Sequence, residues 1–210
     1  MTKAHIVFTQ TESTAVLTNV VRTIAKTLND AGWTVVCTNL ECWLDSETVG
    51  NAAILRANTK SEIENLAACD TLVLIFPVLW CSVPASLKQW IETVFSKQLD
   101  DGNISVNSRS CMQGKKAIVV AMSEEVERIE RNECMDAALA TMLQPLLEGT
   151  LHYLGFNVLR PYFIHGVDLD RVNGTNELLA NVATLFSQIQ RRPSYYGTFP
   201  PTPGLSRLSM

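Results

Sequence analysis

The sequence predicts a three-layer, doubly wound α/β sandwich around a five-stranded parallel sheet of order 2-1-3-4-5. Three observations carry that prediction. Short apolar runs of strand length alternate with amphipathic helical segments along most of the chain. The run from Leu72 to Phe76 is continuously apolar, as a strand buried on both faces must be. Right-handed crossovers between parallel strands then place helices on both faces of the sheet. Five strands in this alternation match the order 2-1-3-4-5.

Each element has its own signal. Ala4 to Phe8 is a buried first strand, rich in β-branched and aromatic residues. A polar loop, Thr9 to Thr14, leads into a helix in which Val16, Val20, Ile24 and Leu28 recur at four-residue steps. Ala31-Gly32 ends that helix, and Trp33 to Asn39 forms the second strand. Leu40 to about Lys60 shows no clean period and reads as loop. Ser61-x-x-Glu64 is a capping-box pattern that starts a short helix ending near Ala68. After the third strand, Pro77 to Pro84 is a loop, and Ala85 to about Ser96 a helix with Leu87, Ile91, Val94 and Phe95 on one side. The fourth strand is Ala117 to Ala121, a helix lies around Leu139 to Leu154, and the fifth strand is Asn157 to Ile164. The last helix runs from Asn176 to Arg191.

One domain, residues 1–190, accounts for these elements, since 210 residues suffice for one buried core. Residues 191–210 form a tail with Pro193, Pro200, Pro201 and Pro203, expected to be extended or disordered. A formal charge of −4 without clustered Lys or Arg gives no footprint for nucleic acid. The longest apolar runs fall short of the ~20 residues that membrane insertion needs, and the first residues lack a secretory pattern. A cytoplasmic protein is expected, with its six cysteines as free, buried packing thiols. No metal site is expected, because the three histidines stand at no ligand spacing to the cysteines.

In an open parallel sheet, ligands bind beyond the carboxyl ends of the strands. The loops after strands one, three and four are therefore the candidate site. The first reads Thr9-Gln10-Thr11-Glu12-Ser13-Thr14-Ala15. Its hydroxyls and backbone N–H groups at a helix N-terminus suit a phosphate. The same residues also serve as an ordinary helix cap. The second runs Phe76-Pro77-Val78-Leu79-Trp80-Cys81-Ser82-Val83-Pro84 and continues as Ala85-Ser86-Leu87-Lys88-Gln89-Trp90-Ile91-Glu92-Thr93-Val94-Phe95. Two prolines stiffen a loop that holds an indole at the mouth of the sheet, able to flank a flat apolar ring.

That second segment resembles the pattern FP-x-x-W-x-x-(x)P-A-x-L-K-x-W-x-(D/E)-x-V-F of the flavin-dependent NAD(P)H:quinone oxidoreductase family, with its bacterial drug-modulator and potassium-efflux ancillary relatives. Further stretches share the resemblance: Ile6-Val7-Phe8, Ala31 to Val36, Gln113 to Ala117, and Leu146 to Pro161 with Gly149, His152, Gly155-Phe156, Val158 and Pro161. The resemblance implies a flavodoxin-like fold and non-covalently bound FAD or FMN. It implies two-electron ping-pong transfer from NAD(P)H to a quinone-like acceptor, and a homodimer with its pocket at the subunit interface. Carried over by position, Thr9, Gln10, Thr11, Thr14 and Ala15 would approach the flavin phosphates. Pro77, Val78, Leu79, Trp80 and Cys81 would flank the ring, with Met122 and Ser123 beside it.

The third loop departs from the family. A T-T-G-G-like turn is implied after strand four, followed by a Tyr and a His. Here the stretch is Met122-Ser123-Glu124-Glu125, with Glu130 near the Tyr position and no histidine between His5 and His152. Two readings stay open. Arg128 or Arg131 supplies the positive charge that a reduced flavin needs, or Glu124 and Glu125 close the pocket and the chain is a non-catalytic binding or regulatory subunit. His152 reads as a semi-buried packing residue, and His165 ends the fifth strand without an evident partner.

Overall fold

The computed structural model describes residues 1–9, 15–43, 52–100, 112–123, 134–166 and 175–196. Its strands are β1 (Lys3–Phe8), β2 (Thr34–Asn39), β3 (Thr71–Pro77), β4 (Lys116–Ser123), β5 (Asn157–Val158) and β6 (Tyr162–His165). Its α-helices are α1 (Ala15–Asp30), α2 (Leu40–Trp43), α3 (Ala52–Ala68), α4 (Ala85–Asp100), α5 (Cys134–Met142), α6 (Gln144–Leu146) and α7 (Thr175–Ser187). A π-helical turn, Leu147–His152, follows α6, and a 3₁₀ turn, Ile189–Arg191, follows α7.

The sheet is parallel in the order β2-β1-β3-β4-β5, with β6 also paired to β4. The predicted strand order and doubly wound topology are therefore present. All seven residues of β3 are buried, as its unbroken apolar run required. One face of the sheet carries Val7, Leu74, Phe76 and Ala121 against α3 and α4. The other carries Ile6, Val73, Ile75 and Val120 against α1 and α7. Side chains alternate between the faces along each strand.

The predicted fifth strand is two strands, because Pro161 has no N–H to continue the ladder. The break is held by the C-terminal segment. Arg160 N–H donates to the Pro193 carbonyl at 3.0 Å, and Arg192 donates to the carbonyls of Arg160 and Pro161 at 2.5 and 2.8 Å. Tyr195 N–H donates to the Val158 carbonyl at 2.8 Å, so residues 192–196 run along β5. His152 is exposed and stacks at 5.0 Å on Tyr196, instead of packing semi-buried. The cysteines also differ from expectation: Cys69 is buried, whereas Cys37, Cys42 and Cys81 are exposed free thiols.

The largest correction is α3. The sequence predicted loop to about Lys60 and a capped start at Ser61, yet the helix begins at Ala52 and passes through Ser61. Its inward face is Leu55, Thr59, Glu62, Ile63 and Leu66, at helical spacing. Two polar residues on that face, Thr59 and Glu62, hide the apolar period. Thr59 Oγ1 satisfies itself by donating to the Leu55 carbonyl at 2.7 Å.

Glu62 is the second polar residue, and it is 4% exposed. Thr38 of β2 donates to its Oε1 at 2.8 Å, and Trp90 Nε1 of α4 donates to its Oε2 at 2.8 Å. His5 Nε2 of β1 lies 3.4 Å from Oε2 and 3.0 Å from Thr38 Oγ1. Burial pushes the carboxyl pKa up, but the hydrogen bonds and charge of His5, with those of Thr38 and Trp90, more than offset it. The pKa is thus held below the ordinary carboxylate range. A pKa lowered by folding adds stability above about pH 4.3, and that stability is lost as pH falls through the folded value. Glu62→Ala should cost about 3–5 kcal/mol at pH 7, because Trp90 and His5 lose a buried partner. Urea unfolding checks this: the loss appears as a lower midpoint with an unchanged slope, and the gap to wild type narrows below about pH 4.

Candidate functional site

The carboxyl ends of four strands stand side by side. Thr9, just past β1, donates its N–H to the Ile75 carbonyl at 3.2 Å. Val78, just past β3, donates to the Met122 carbonyl at 2.8 Å. Gly166, just past β6, donates to the Ser123 carbonyl at 2.9 Å, and its φ of 66° turns the chain away there. Ser123 and His165 are paired in register.

Alternation decides which side chains share a face. Phe76, Ala121 and Phe163 lie abreast, and all pack on the α4 side. Two residues on, Val78, Ser123 and His165 therefore form the next row on that side. Thr9 follows Val7 on the same face. Met122 faces the other way, buried in the core against α1 and α7. Its contribution at this edge is the carbonyl that holds Val78.

Between β3 and α4 the chain makes a two-residue hairpin. Leu79 and Ser82 exchange hydrogen bonds of 3.0 and 2.9 Å, with Trp80 and Cys81 at the tip. Both tip residues have positive φ, 49° and 59°. That is the sign pattern of a type I′ turn, which glycine and asparagine normally fill. Neither Trp nor Cys is suited to it, at a cost of roughly 1–2 kcal/mol each. The turn holds Trp80 99% exposed and Leu79 43% exposed.

Two buried polar atoms at this edge lack hydrogen-bond partners among the described residues: Thr9 Oγ1 and His165 Nδ1. The other nitrogen of His165 is engaged. Nε2 lies 2.6 Å from Asp136 Oδ1, on the first turn of α5. Sequence reasoning gave His165 no partner. The pair is 29 residues apart in the chain, and no spacing rule joins a strand end to that helix.

The other expected site residues divide. Pro77 is buried at the end of β3, Ser123 is half-buried, and Ala15 is exposed at the start of α1. Gln10, Thr11 and Thr14 lie outside the described residues, as do Glu124, Glu125, Arg128, Glu130 and Arg131. Among the described residues no group of three His, Cys, Asp or Glu side chains is placed to hold a metal. None of their helices is long and apolar enough to cross a membrane. A polar cleft of about 380 Å³ lies at the opposite edge, lined by Asp70, Lys116 and Gln190. Those groups are already paired, Lys116 with Gln190 and Asp70 with the Lys3 N–H.

A family profile described as Flavodoxin-like fold matches residues 2–186. The chain belongs to that flavodoxin-like family. Among curated relatives, it is 29% identical over 120 residues to NAD(P)H dehydrogenase [quinone] 1 of Cavia porcellus, covering 57% of this chain and 44% of the relative. It is 25% identical over 146 residues to the ribosyldihydronicotinamide dehydrogenase [quinone] of Mus musculus, covering 70% and 63%. The matches thus span between about two fifths and two thirds of those relatives. Among solved structures, the NAD(P)H:quinone oxidoreductase of Methanothermobacter marburgensis superposes with a TM-score of 0.67, at 18% identity, over 92% of this chain and 98% of that one. At that identity the likeness is one of fold.

The strained hairpin of this flavodoxin-like protein makes a stability prediction. Cys81→Gly should stabilise it by about 0.5–1 kcal/mol, the relief of a left-handed residue less the flexibility gained by the unfolded chain. Thermal unfolding checks this, and an unchanged or lower midpoint would count against strain at the tip.

Proposed function

We propose that this protein is a flavin-dependent NAD(P)H:quinone oxidoreductase, binding FMN or FAD over the carboxyl ends of β1, β3 and β4. The observation that carries this reading is the Trp80 hairpin. A fold does not hold an indole in full solvent on a strained turn for its own stability. The turn presents a flat apolar wall beside Val78 at the edge where parallel sheets bind their ligands. The fit to a flavin is supported by the polar atoms there. Thr9 Oγ1, without a partner among the described residues, is a hydrogen-bonding group at the phosphate end, and Ser123 adds a hydroxyl on the same sheet face.

A flavin bound there would supply the redox chemistry, two-electron ping-pong transfer from NAD(P)H to a quinone-like acceptor. The chain's residues bind and orient. Thr9, with Gln10, Thr11, Thr14 and Ala15, holds the phosphate end. Pro77 to Cys81 walls the ring, and the Met122 carbonyl fixes Val78. Trp80 and Leu79 leave apolar surface uncovered, which suits burial against a second copy, and we assign a homodimer with its pocket at that interface. The exposed thiols at 37, 42 and 81 suit a reducing compartment, the cytoplasm.

An absorbance spectrum of the purified protein, before and after incubation with FMN and FAD, tests the reading. Flavin bands that stay with the protein through gel filtration are expected. A colourless protein that takes up neither flavin would sink the proposal. Trp80→Ala should weaken flavin binding by about tenfold, on the order of one aromatic contact. Fluorescence titration measures it, and an unchanged affinity would remove Trp80 from the pocket wall.

A further inference from the structure

The C-terminal segment lies along β5, and its one aliphatic hydroxyl sits in a basic sequence. β5 pairs with β4 on one side. On the other side Ser194 bridges antiparallel to Leu159. The flanking hydrogen bonds run from Arg160 N–H to the Pro193 carbonyl at 3.0 Å and from Tyr195 N–H to the Val158 carbonyl at 2.8 Å. Two side chains clamp this strap. Arg192 donates to the carbonyls of Arg160 and Pro161, and Ser194 Oγ donates to Asn157 Oδ1 at 2.6 Å.

The sequence into the strap reads Arg191-Arg192-Pro193-Ser194. Two guanidinium groups stand two and three places before the hydroxyl, and residues 178–210 hold no Asp or Glu. Protein kinases sort their substrates by such charge patterns, and an acidic substrate groove selects a basic run ahead of a serine. Arg191 is exposed and Ser194 half-buried. The pairing is short and lies near the end of the described chain, so the strap opens more readily than the central strands.

We propose that Ser194 is a phosphorylation site for a serine/threonine kinase with an acidic substrate groove, and that the phosphate releases the strap from β5. In the transfer, Oγ attacks the γ-phosphorus of ATP. The Oγ–P bond forms, the bond from that phosphorus to ADP breaks, and the hydroxyl proton passes to the kinase's catalytic carboxylate. Three features set the phosphate against the docked strap. Oγ lies 2.6 Å from Asn157 Oδ1, which leaves no room between them for a phosphoryl group. The donor of that hydrogen bond is lost, and about two negative charges face an acceptor oxygen. Arg192 is extended, with φ −63° and ψ 132°, so its side chain and that of Ser194 lie on one side of the strap. A dianion there is a stronger acceptor for the guanidinium than the carbonyls of Arg160 and Pro161. Those carbonyls lead into β6, so release acts on the strand that pairs with β4 at the carboxyl edge. No part of this depends on a bound flavin.

Incubation of the full chain with MgATP and the catalytic subunit of cyclic-AMP-dependent protein kinase, whose substrate groove is acidic, tests the site by mass spectrometry. Phosphate at Ser194 is expected, absent from Ser194→Ala and incorporated about tenfold more slowly in Arg191→Gln, on the order of one lost ion pair. Arg191 is exposed, so its variant keeps the test open if Ser194→Ala does not fold. Hydrogen exchange then reads the strap. After phosphorylation the Arg160 and Tyr195 amides should exchange about tenfold faster, with the β3 amides unchanged. No incorporation into wild type, or a Ser194 phosphate whose rate Arg191→Gln leaves unaltered, would overturn the kinase assignment. Phosphorylation with slower or unchanged exchange at Arg160 and Tyr195 would overturn the release, because Asn157 Nδ2 has then turned to donate to the phosphate. Faster exchange throughout β3 would also overturn it, since the whole fold and not the strap has opened.

Discussion

A buried carboxylate joins the layers of one half of this fold. Glu62 reaches β2 through Thr38, β1 through His5 and α4 through Trp90. Removing a carboxylate from water is expensive unless its lone pairs are filled, and here both oxygens are engaged. The hydrogen bonds are directional where apolar packing is not. They fix α3 and α4 in one rotation about their axes, whereas Leu66 and Ile91 would tolerate several. Trp90 also makes edge contacts with His5 at 6.3 Å and Phe95 at 5.5 Å, so the same indole carries polar and apolar anchoring.

The position of α4 sets where the Trp80 hairpin begins and ends. The hairpin is fixed at one end by the Val78 hydrogen bond to β4 and runs at the other into Pro84 and α4, where Lys88 N–H donates to the Pro84 carbonyl at 3.0 Å. With both ends held, a two-residue tip must take the positive φ values that Trp80 and Cys81 show. The strain at the tip is thus supported by the buried network beneath it. Local backbone cost persists where surrounding structure over-determines it.

Much of the fold was legible because it rests on periodic burial. The run Leu72 to Phe76 identified the central strand, and the four-residue steps of α1 identified a helix. What escaped was polar or distant. Thr59 and Glu62 broke the apolar period of α3 from within, so a 17-residue helix read as loop. Pro161 divided one predicted strand into two. At the site, the motif from Phe76 to Phe95 drew attention to Trp80, but not to its backbone strain, since nothing in Trp-Cys suggests a turn that prefers Asn-Gly. The partnership of His165 and Asp136 follows from sheet register and from where α5 docks, and neither is written in spacing.

The two edges of the sheet differ in how their polar groups are paired. At the amino edge the backbone is laced shut: Asp70 N–H donates to Lys3, Lys116 N–H to Asp70 and Asn157 N–H to Lys115. Lys115 closes the end of α3 through the carbonyls of Ala67 and Cys69. The carboxyl edge departs from that economy, with a strained tip, a fully exposed indole, and Thr9 Oγ1 and His165 Nδ1 buried without partners among the described residues. Each departure costs stability, and the strained tip, the exposed indole and the Thr9 hydroxyl meet at the edge where parallel sheets take ligands. The backbone hydrogen bonds of the amino edge and the Glu62 network supply the rigidity against which the carboxyl edge carries its strain.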